Sequence, residues 1–185
     1  MARPTALVRP SVDQAIVLTL FDLANHLQRG GEALAATAQL TTQQWLALLQ
    51  IAGDPNFPSR GRALLASEIA RSRGVSRATL SVQIAALRRR GLIEERPDPD
   101  DARRRFLAIT ARGREIVAAI EPARRAANQR LLAHLAAPDR ARFLNYLRGC
   151  LDVLWALRDE GDRGISARSS SRRQTPSSPR RRPDR

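Results

Sequence analysis

Residues 64–110 read LLASEIARSRGVSRATLSVQIAALRRRGLIEERPDPDDARRRFLAIT, and the punctuation of this stretch decides the fold. Leu64, Leu65, Ile69 and Ala70 form the inward face of a short helix over 64–73, which Gly74 ends as a C′ glycine. Val75 fills the turn, and Ser76 is a fit N-cap for a second helix over 77–90. Leu80, Ile84 and Leu87 recur at i, i+4 and i+7 on one side of that helix, and Gly91 stops it. A strand follows from Leu92 to Arg96. Pro97-Asp98-Pro99-Asp100-Asp101 cannot continue a central strand and must turn. Arg105 to Ile109 returns as a second strand, with Leu107 and Ile109 alternating against Phe106 and Ala108. Two helices joined by a tight turn, then a hairpin loaded with arginine at its tip, make a winged helix-turn-helix.

The flanks read as helices. Ser11 caps a long one over 11–37, whose stripe is Val12, Ile16, Leu20, Leu23 and Leu27, with Gly30-Gly31 as a site of interruption or kinking. A second covers about 42–52, capped by Thr41 or Thr42, with Trp45, Leu48, Leu49 and Ile51 as apolar content. Residues 53–62, GDPNFPSRGR, are a loop that is long for a helix–helix connection. After the hairpin, Thr110 caps a helix over roughly 111–136 with Gly113 at N3, which Glu121-Pro122 bends rather than breaks. Pro138 opens the last helix at its first position, and Phe143, Leu144, Leu147, Leu151 and Leu154 form its stripe. The pattern dissolves after Arg158. The Ser/Pro/Arg-rich tail 158–185 has too little apolar content to offset the entropy of ordering and reads as disordered. The fold class is mainly α (α+β): a winged module with a two-stranded wing, flanked by N- and C-terminal dimerisation helices.

Charge follows the same division. The chain carries 32 basic and 18 acidic residues, and every basic residue is Arg. The net charge is −1 over residues 1–59, +8 over 60–114, +2 over 115–157 and +5 over 158–185. The excess sits on the winged module and the tail, where it attracts a phosphate backbone and releases counterions. No apolar run approaches the ~18 residues that span a bilayer, so no membrane partner is expected. The N-terminus lacks the compact apolar stretch of a signal peptide. The single cysteine, Cys150, excludes an internal disulfide framework. A cytoplasmic protein fits these features.

The second helix of such a module enters the major groove by its N-terminal residues. With Leu80, Ile84 and Leu87 inward, the outward positions include Ser76, Arg77, Ala78, Thr79, Ser81 and Val82. Arg77 suits bidentate contact with guanine, Ser81 serves as donor or acceptor, and Val82 packs on a thymine methyl. Ser76 and Thr79 suit phosphate, although Ser76 is equally a plain N-cap. In the wing, Arg103, Arg104 and Arg105 suit a narrow, electronegative minor groove. Asp98, Asp100 and Asp101 cannot all face phosphate, and Asp101 is the candidate for orienting an arginine. Arg88, Arg89 and Arg90 either complement the helix dipole in solvent or touch the DNA backbone. Double-stranded DNA is the expected partner.

The stretch ASEIARSRGVSRATLSVQIAALRRRGLIEERPDPDDARRRFLAITARG resembles the MarR family of bacterial transcription regulators. Asp101-x-Arg103, an apolar strand, then Thr110 and Gly113 carry the likeness, and the flanking helices extend it over about residues 11–157. Residues 1–157 are then one family-like domain, with N-terminal helices over 11–52, the winged module over 60–114 and dimerisation helices over 111–157. The resemblance implies a homodimer on a pseudo-palindromic operator, with Arg103 in the minor groove. It also implies a repressor that releases DNA when a small phenolic or anionic effector enters a cleft. His26 and Trp45 are the candidate effector contacts, set against a histidine satisfied at a helix interface. Loop 53–62, the apolar Val82 and Ala86 on the reading helix, and the basic tail depart from the family pattern.

Enzyme chemistry finds no support. His26 and His134 have no metal-ligand spacing, no glycine-rich phosphate loop follows a strand, and no serine or cysteine has a recognisable base. No metal or cofactor is expected. Cys150, between Leu147 and Leu151, reads as a buried small residue rather than a redox sensor. Two functions remain open: a sequence-specific regulator that answers to an effector, and an effector-independent structural protein that coats DNA with weak specificity.

Overall fold

A computed structural model of the chain describes residues 11–57, 64–98, 101 and 103–171. The chain divides into two compact units after Asn128. The first holds α1 (Val12–Ala36), α2 (Thr42–Ile51), α3 (Ala66–Ser72), α4 (Arg77–Arg89), β1 (Ile93–Pro97) and β2 (Arg105–Ile109). The next helix, α5 (Ala111–Leu131), begins in this unit, and α6 (Ala137–Ser171) belongs to the second. The architecture is the mainly helical winged helix-turn-helix expected from the pattern of apolar and turn residues.

Local chemistry fixes the helix starts. Ser11 and Thr41 each accept the backbone N–H three residues on, while Gln14 and Gln44 reach back to the cap N–H. These are capping boxes, which satisfy two orphan donors at once. The Gly30-Gly31 pair does not interrupt α1. Gly31 is instead buried where a Cβ would lie 2.9 Å from Thr42 Cγ2, so the absent side chain lets α2 approach α1. Gly74 and Gly91 both take the left-handed conformation that ends α3 and α4.

The core of the first unit gathers apolar residues from every element. Leu48 of α2, Ile69 of α3, Leu87 of α4 and Leu92 are its largest fully buried aliphatic side chains. The hairpin pairs Ile93 with Ile109 through to Pro97 with Arg105. Pro97 thus closes β1 as its last residue, at an end where no further ladder donor is needed. Leu64 departs from the helix expected over 64–73. It forms an isolated bridge with Leu107, accepting the Leu107 N–H at 2.9 Å, and α3 starts only at Ala66. Leu64 is buried in either conformation, so its hydrophobicity did not distinguish them. The Glu68 carboxylate caps the helix late by accepting the Leu65 N–H at 2.9 Å.

The segment after the wing is tightly seated. Thr110 Oγ1 accepts the Gly113 N–H at 3.1 Å and donates to Gly91 O at 2.7 Å, which joins the start of α5 to the end of α4. Helix α5 passes through Pro122 and ends at Leu131, short of residue 136. Ala136 O accepts the Arg140 N–H, which puts Pro138 at the second helical position of α6 rather than the first. Helix α6 continues to Ser171, so the tail expected to be disordered from residue 158 is helical over its first part. Apolar periodicity detects only helices that bury a face. Elongation needs no such face, because each added residue contributes one backbone hydrogen bond. Residues 172–185 lie outside those described.

Large apolar side chains stay exposed on two helices. They include Val12, Ile16, Leu18 and Phe21 of α1, and Tyr146, Leu151, Leu154 and Leu157 of α6. Among the described residues, no helix is long and apolar enough to cross a membrane.

Candidate nucleic-acid interface

Helix α4 buries Leu80, Ile84 and Leu87, which turns its other side outward. Ser76, Arg77, Ala78, Thr79, Ser81 and Val82 are all exposed, and Val82 keeps 65 % of its surface in solvent. A valine so exposed contributes little to the core of its own chain. The hydroxyls are partly engaged. Ser76 Oγ accepts the Thr79 N–H at 3.0 Å and lies 2.7 Å from Thr79 Oγ1. Ser81 Oγ donates to Arg77 O at 2.8 Å, so it faces outward as an acceptor. The Arg77 guanidinium has no hydrogen-bond or ion-pair partner among the described residues. With no acid in the first turn, the positive end of the helix dipole is uncompensated there.

The wing sorts its three arginines. Arg104 Nη1 lies 3.6 Å from Asp98 Oδ2, and its guanidinium stands 5.7 Å from the Phe106 ring centroid. Asp98 is buried to 7 % exposure, and its N–H donates to Arg104 O at 3.0 Å. Arg104 is therefore part of the hairpin's own structure. Arg103 and Arg105 are exposed, and their guanidinium groups have no partner among the described residues. Asp101 orients the wing through the backbone. Its Oδ1 accepts the Arg103 N–H at 2.9 Å and its carbonyl accepts the Arg104 N–H at 2.9 Å. The carboxylate–guanidinium pair expected of Asp101 belongs to Asp98 instead. Asp98 approaches the Arg104 guanidinium with one oxygen, an ion pair rather than a bidentate fork. Pro99, Asp100 and Ala102 lie outside the described residues.

The triplet at the end of α4 also divides. Arg88 pairs with Glu95 at 2.9 Å. Arg90 donates to Gln39 O at 2.5 Å and Ala38 O at 2.8 Å, gripping the corner between α1 and α2. Gln39 itself sits at φ 55°, where the two carbonyls turn toward Arg90. Arg89 is exposed and unpaired among the described residues. Sequence reasoning missed the anchoring role of Arg90, because its partners lie more than fifty residues away and are backbone carbonyls.

The candidate effector residues are not alike in setting. His26 is exposed on α1, whereas Trp45 is buried in the core at 5 % exposure. Trp45 is thus a packing residue first, and its indole Nε1 has no partner within the protein. Cys150 is exposed on α6, not buried as its neighbours suggested. Asp54 pairs with Arg124 at 2.9 Å, and Arg73 donates to Gln43. Burial lowers the pKa of Arg73 below the usual guanidinium value.

Comparison with known proteins finds relatives of this chain and of its fold. A family model described as MarR family matches residues 38–104. The transcriptional activatory protein BadR of Rhodopseudomonas palustris is 31 % identical over 149 residues, covering 80 % of this chain and 82 % of that protein. The structure of the PcaV transcriptional regulator of Streptomyces coelicolor in complex with its natural ligand is 28 % identical. It superposes with a TM-score of 0.54, covering 70 % of this chain and 89 % of that one. The S. aureus MepR–DNA complex shares the fold, with a TM-score of 0.61 and 20 % identity over 73 % of this chain and 94 % of that one.

Proposed function

The chain belongs to the MarR family of DNA-binding transcription regulators, and from that premise we propose that it is a homodimeric repressor released from a pseudo-palindromic operator by a small effector. The observation that carries the reading is the sorting of arginines. Arg77, Arg103 and Arg105 are exposed and unpaired where DNA contact is expected, while Arg88, Arg90 and Arg104 close by are engaged within the protein. In this reading Arg77 and Val82 meet base edges, Ser76, Thr79 and Ser81 hold phosphates or bases, and Arg103 and Arg105 enter the minor groove. Ala78 keeps the helix close to the groove by its small size.

The exposed apolar residues of α1 and α6 support the dimer. Rows of large exposed apolar side chains on each of these helices support an association surface. Two-fold pairing would set half-sites about one helical turn, ~34 Å, apart. Leu154→Glu should shift the chain from dimer to monomer in sedimentation velocity, and an unchanged dimer would remove α6 from the interface. PcaV, solved in complex with its natural ligand, supports an effector for this chain.

The test is fluorescence anisotropy of the full chain on the duplex upstream of its own gene, against scrambled duplex, at physiological salt. A preference of about 1,000-fold or more is expected, as is usual for specific regulators. Equal affinity for both would replace this reading with that of a nonspecific DNA-coating protein, for which the net charge of +14 speaks. In a reconstituted transcription assay the protein should lower output from that promoter. A rise would assign it the activating role that BadR's name states for BadR.

A further inference from the structure

Helix α4 carries two rows of apolar side chains, and they lie on opposite sides. Leu80, Ile84 and Leu87 are buried in the core. Ala78, Val82 and Ala85 repeat the same i, i+4, i+7 spacing two residues earlier, about 200° round the helix, and all three are exposed. Val82 keeps 65 % of its surface in solvent, and the alanines on either side are too small to shield it. The exposed row runs about 10 Å along the helix axis. Exposed arginines stand beside both its ends, Arg77 and Arg89. An apolar ridge bounded by cations suits a groove with phosphate walls and methyl groups on its floor.

The rest of the exposed side lacks the groups that read adenine or cytosine by hydrogen bonds. Besides the ridge it presents Arg77, Thr79, Ser81, Arg88 and Arg89, with no amide and no carboxylate among them. In the major groove an amide reads adenine by accepting from N6 and donating to N7, and a carboxylate reads cytosine. Thr79 Oγ1 lies 2.7 Å from Ser76 Oγ, and Ser81 Oγ gives its proton to Arg77 O at 2.8 Å. Arg77 is left as a fork for guanine. The ridge itself matches the C5-methyl, the one major-groove group of an A·T pair that calls for an apolar neighbour.

We propose that the Ala78–Val82–Ala85 ridge reads pyrimidine C5-methyl groups and sets the operator sequence over about three adjacent base pairs of each half-site. The span follows from the length of the ridge and a rise of ~3.4 Å per base pair. The inference rests on the DNA-binding reading given above and names what α4 selects. Thymine and 5-methylcytosine carry the same methyl in the same groove, so the ridge accepts either. Unmethylated cytosine leaves Val82 without its neighbour. Burial of one methyl is worth about fourfold in affinity, so one contact in each of two half-sites gives about tenfold or more.

The probe is a duplex enriched by the full chain from a random library. Replacing its thymines by deoxyuridine removes the methyls and keeps the hydrogen-bonding edges. Anisotropy at physiological salt should then show a loss of about tenfold or more. Val82→Ala should lose a similar factor on the thymine duplex and little further on the deoxyuridine duplex, and a thermal melt confirms that the variant folds. Changing the most sensitive T·A pair to C·G should weaken binding, and 5-methylcytosine at that position should restore it. Equal affinity for the thymine and deoxyuridine duplexes, a deoxyuridine loss that Val82→Ala leaves undiminished, or no gain from 5-methylcytosine overturns the ridge as a methyl reader. In each of those results the enriched sequence leaves the regulator reading standing. A library from which nothing is enriched removes that reading, and the ridge with it.

Discussion

Gly113→Ala tests the tightest junction in the first unit. A Cβ built on Gly113 would lie 2.2 Å from Leu92 O and 2.7 Å from Ile109 Cγ1. Non-bonded carbons rest at about 3.5–4.0 Å, so the first turn of α5 must retreat by about 1 Å. Leu92 O has nowhere to go, because it accepts the Thr110 N–H at 3.1 Å and belongs to a residue with no exposed surface. Overpacking against backbone costs about 2–3 kcal/mol. Weakening the Thr110–Leu92 hydrogen bond adds about 1 kcal/mol. Alanine's better helix propensity returns about 1 kcal/mol. The net loss is about 2–3 kcal/mol, or a fall in Tm of roughly 4–12 °C for a chain of this size. The assay is thermal denaturation by circular dichroism at equal protein concentration, since dimerisation makes Tm concentration-dependent. Gly30→Ala is the control. Nothing lies within 4 Å of its Cβ position, so it should hold or raise Tm. A Gly113→Ala protein that melts within about 1 °C of the parent would show that α5 is not seated on the end of α4, and the reasoning would fail.

Val82→Ala should leave stability within about 0.5 kcal/mol, because the side chain is mostly in solvent. Operator affinity should still fall, and unchanged anisotropy would take Val82 out of the interface. Arg103→Ala should weaken operator binding by about 1–3 kcal/mol, as loss of a well-placed arginine contact does, with no shift in melting temperature. Arg104→Ala should do the opposite in part. It frees the buried Asp98 carboxylate from one partner and should lower Tm as well as affinity, so equal melts for both variants would contradict the sorting of the wing. Arg90→Met should cost about 1–2 kcal/mol in urea denaturation through loss of two charge-assisted hydrogen bonds. A neutral result there would mean that the α1–α2 corner is held by packing alone.

Much of the fold was legible because it is written in local signals. Ser11, Ser76 and Thr110 were readable as caps and Thr41 as one of two candidates with Thr42, and each of the four accepts a backbone N–H of its helix's first turn. The i, i+4, i+7 pattern of Leu80, Ile84 and Leu87 set the buried side of α4, and with it the exposed set from Arg77 to Val82. What stayed hidden depends on distant partners. The grip of Arg90 on Ala38 and Gln39, the Asp98–Arg104 pair and the Asp54–Arg124 bridge join residues whose proximity no spacing rule encodes. Leu64 was misplaced for a related reason. A single extended residue paired with Leu107 leaves no period to read. The length of α6 was missed because its final turns carry no apolar stripe.

Counting charge therefore overstates the interface, and partner geometry corrects the count. The winged module is basic throughout, yet Arg88, Arg90, Arg96 and Arg104 are engaged with carboxylates or carbonyls of the same chain. On α4 and the wing, among the described residues, Arg77, Arg89, Arg103 and Arg105 remain for phosphate and bases. Were all four used in both halves of a dimer, about eight phosphates would be neutralised, and log K would fall with log salt at a slope of about −7. A slope at or below that magnitude fits a protein that touches DNA only through these four arginines of α4 and the wing. A markedly steeper slope would require the engaged arginines to leave their partners, or charge elsewhere in the chain to join in. The first behaviour belongs to a reader of sequence held in one register. The second belongs to a cationic coat, and the intramolecular pairing of Arg88, Arg90 and Arg104 weighs against it.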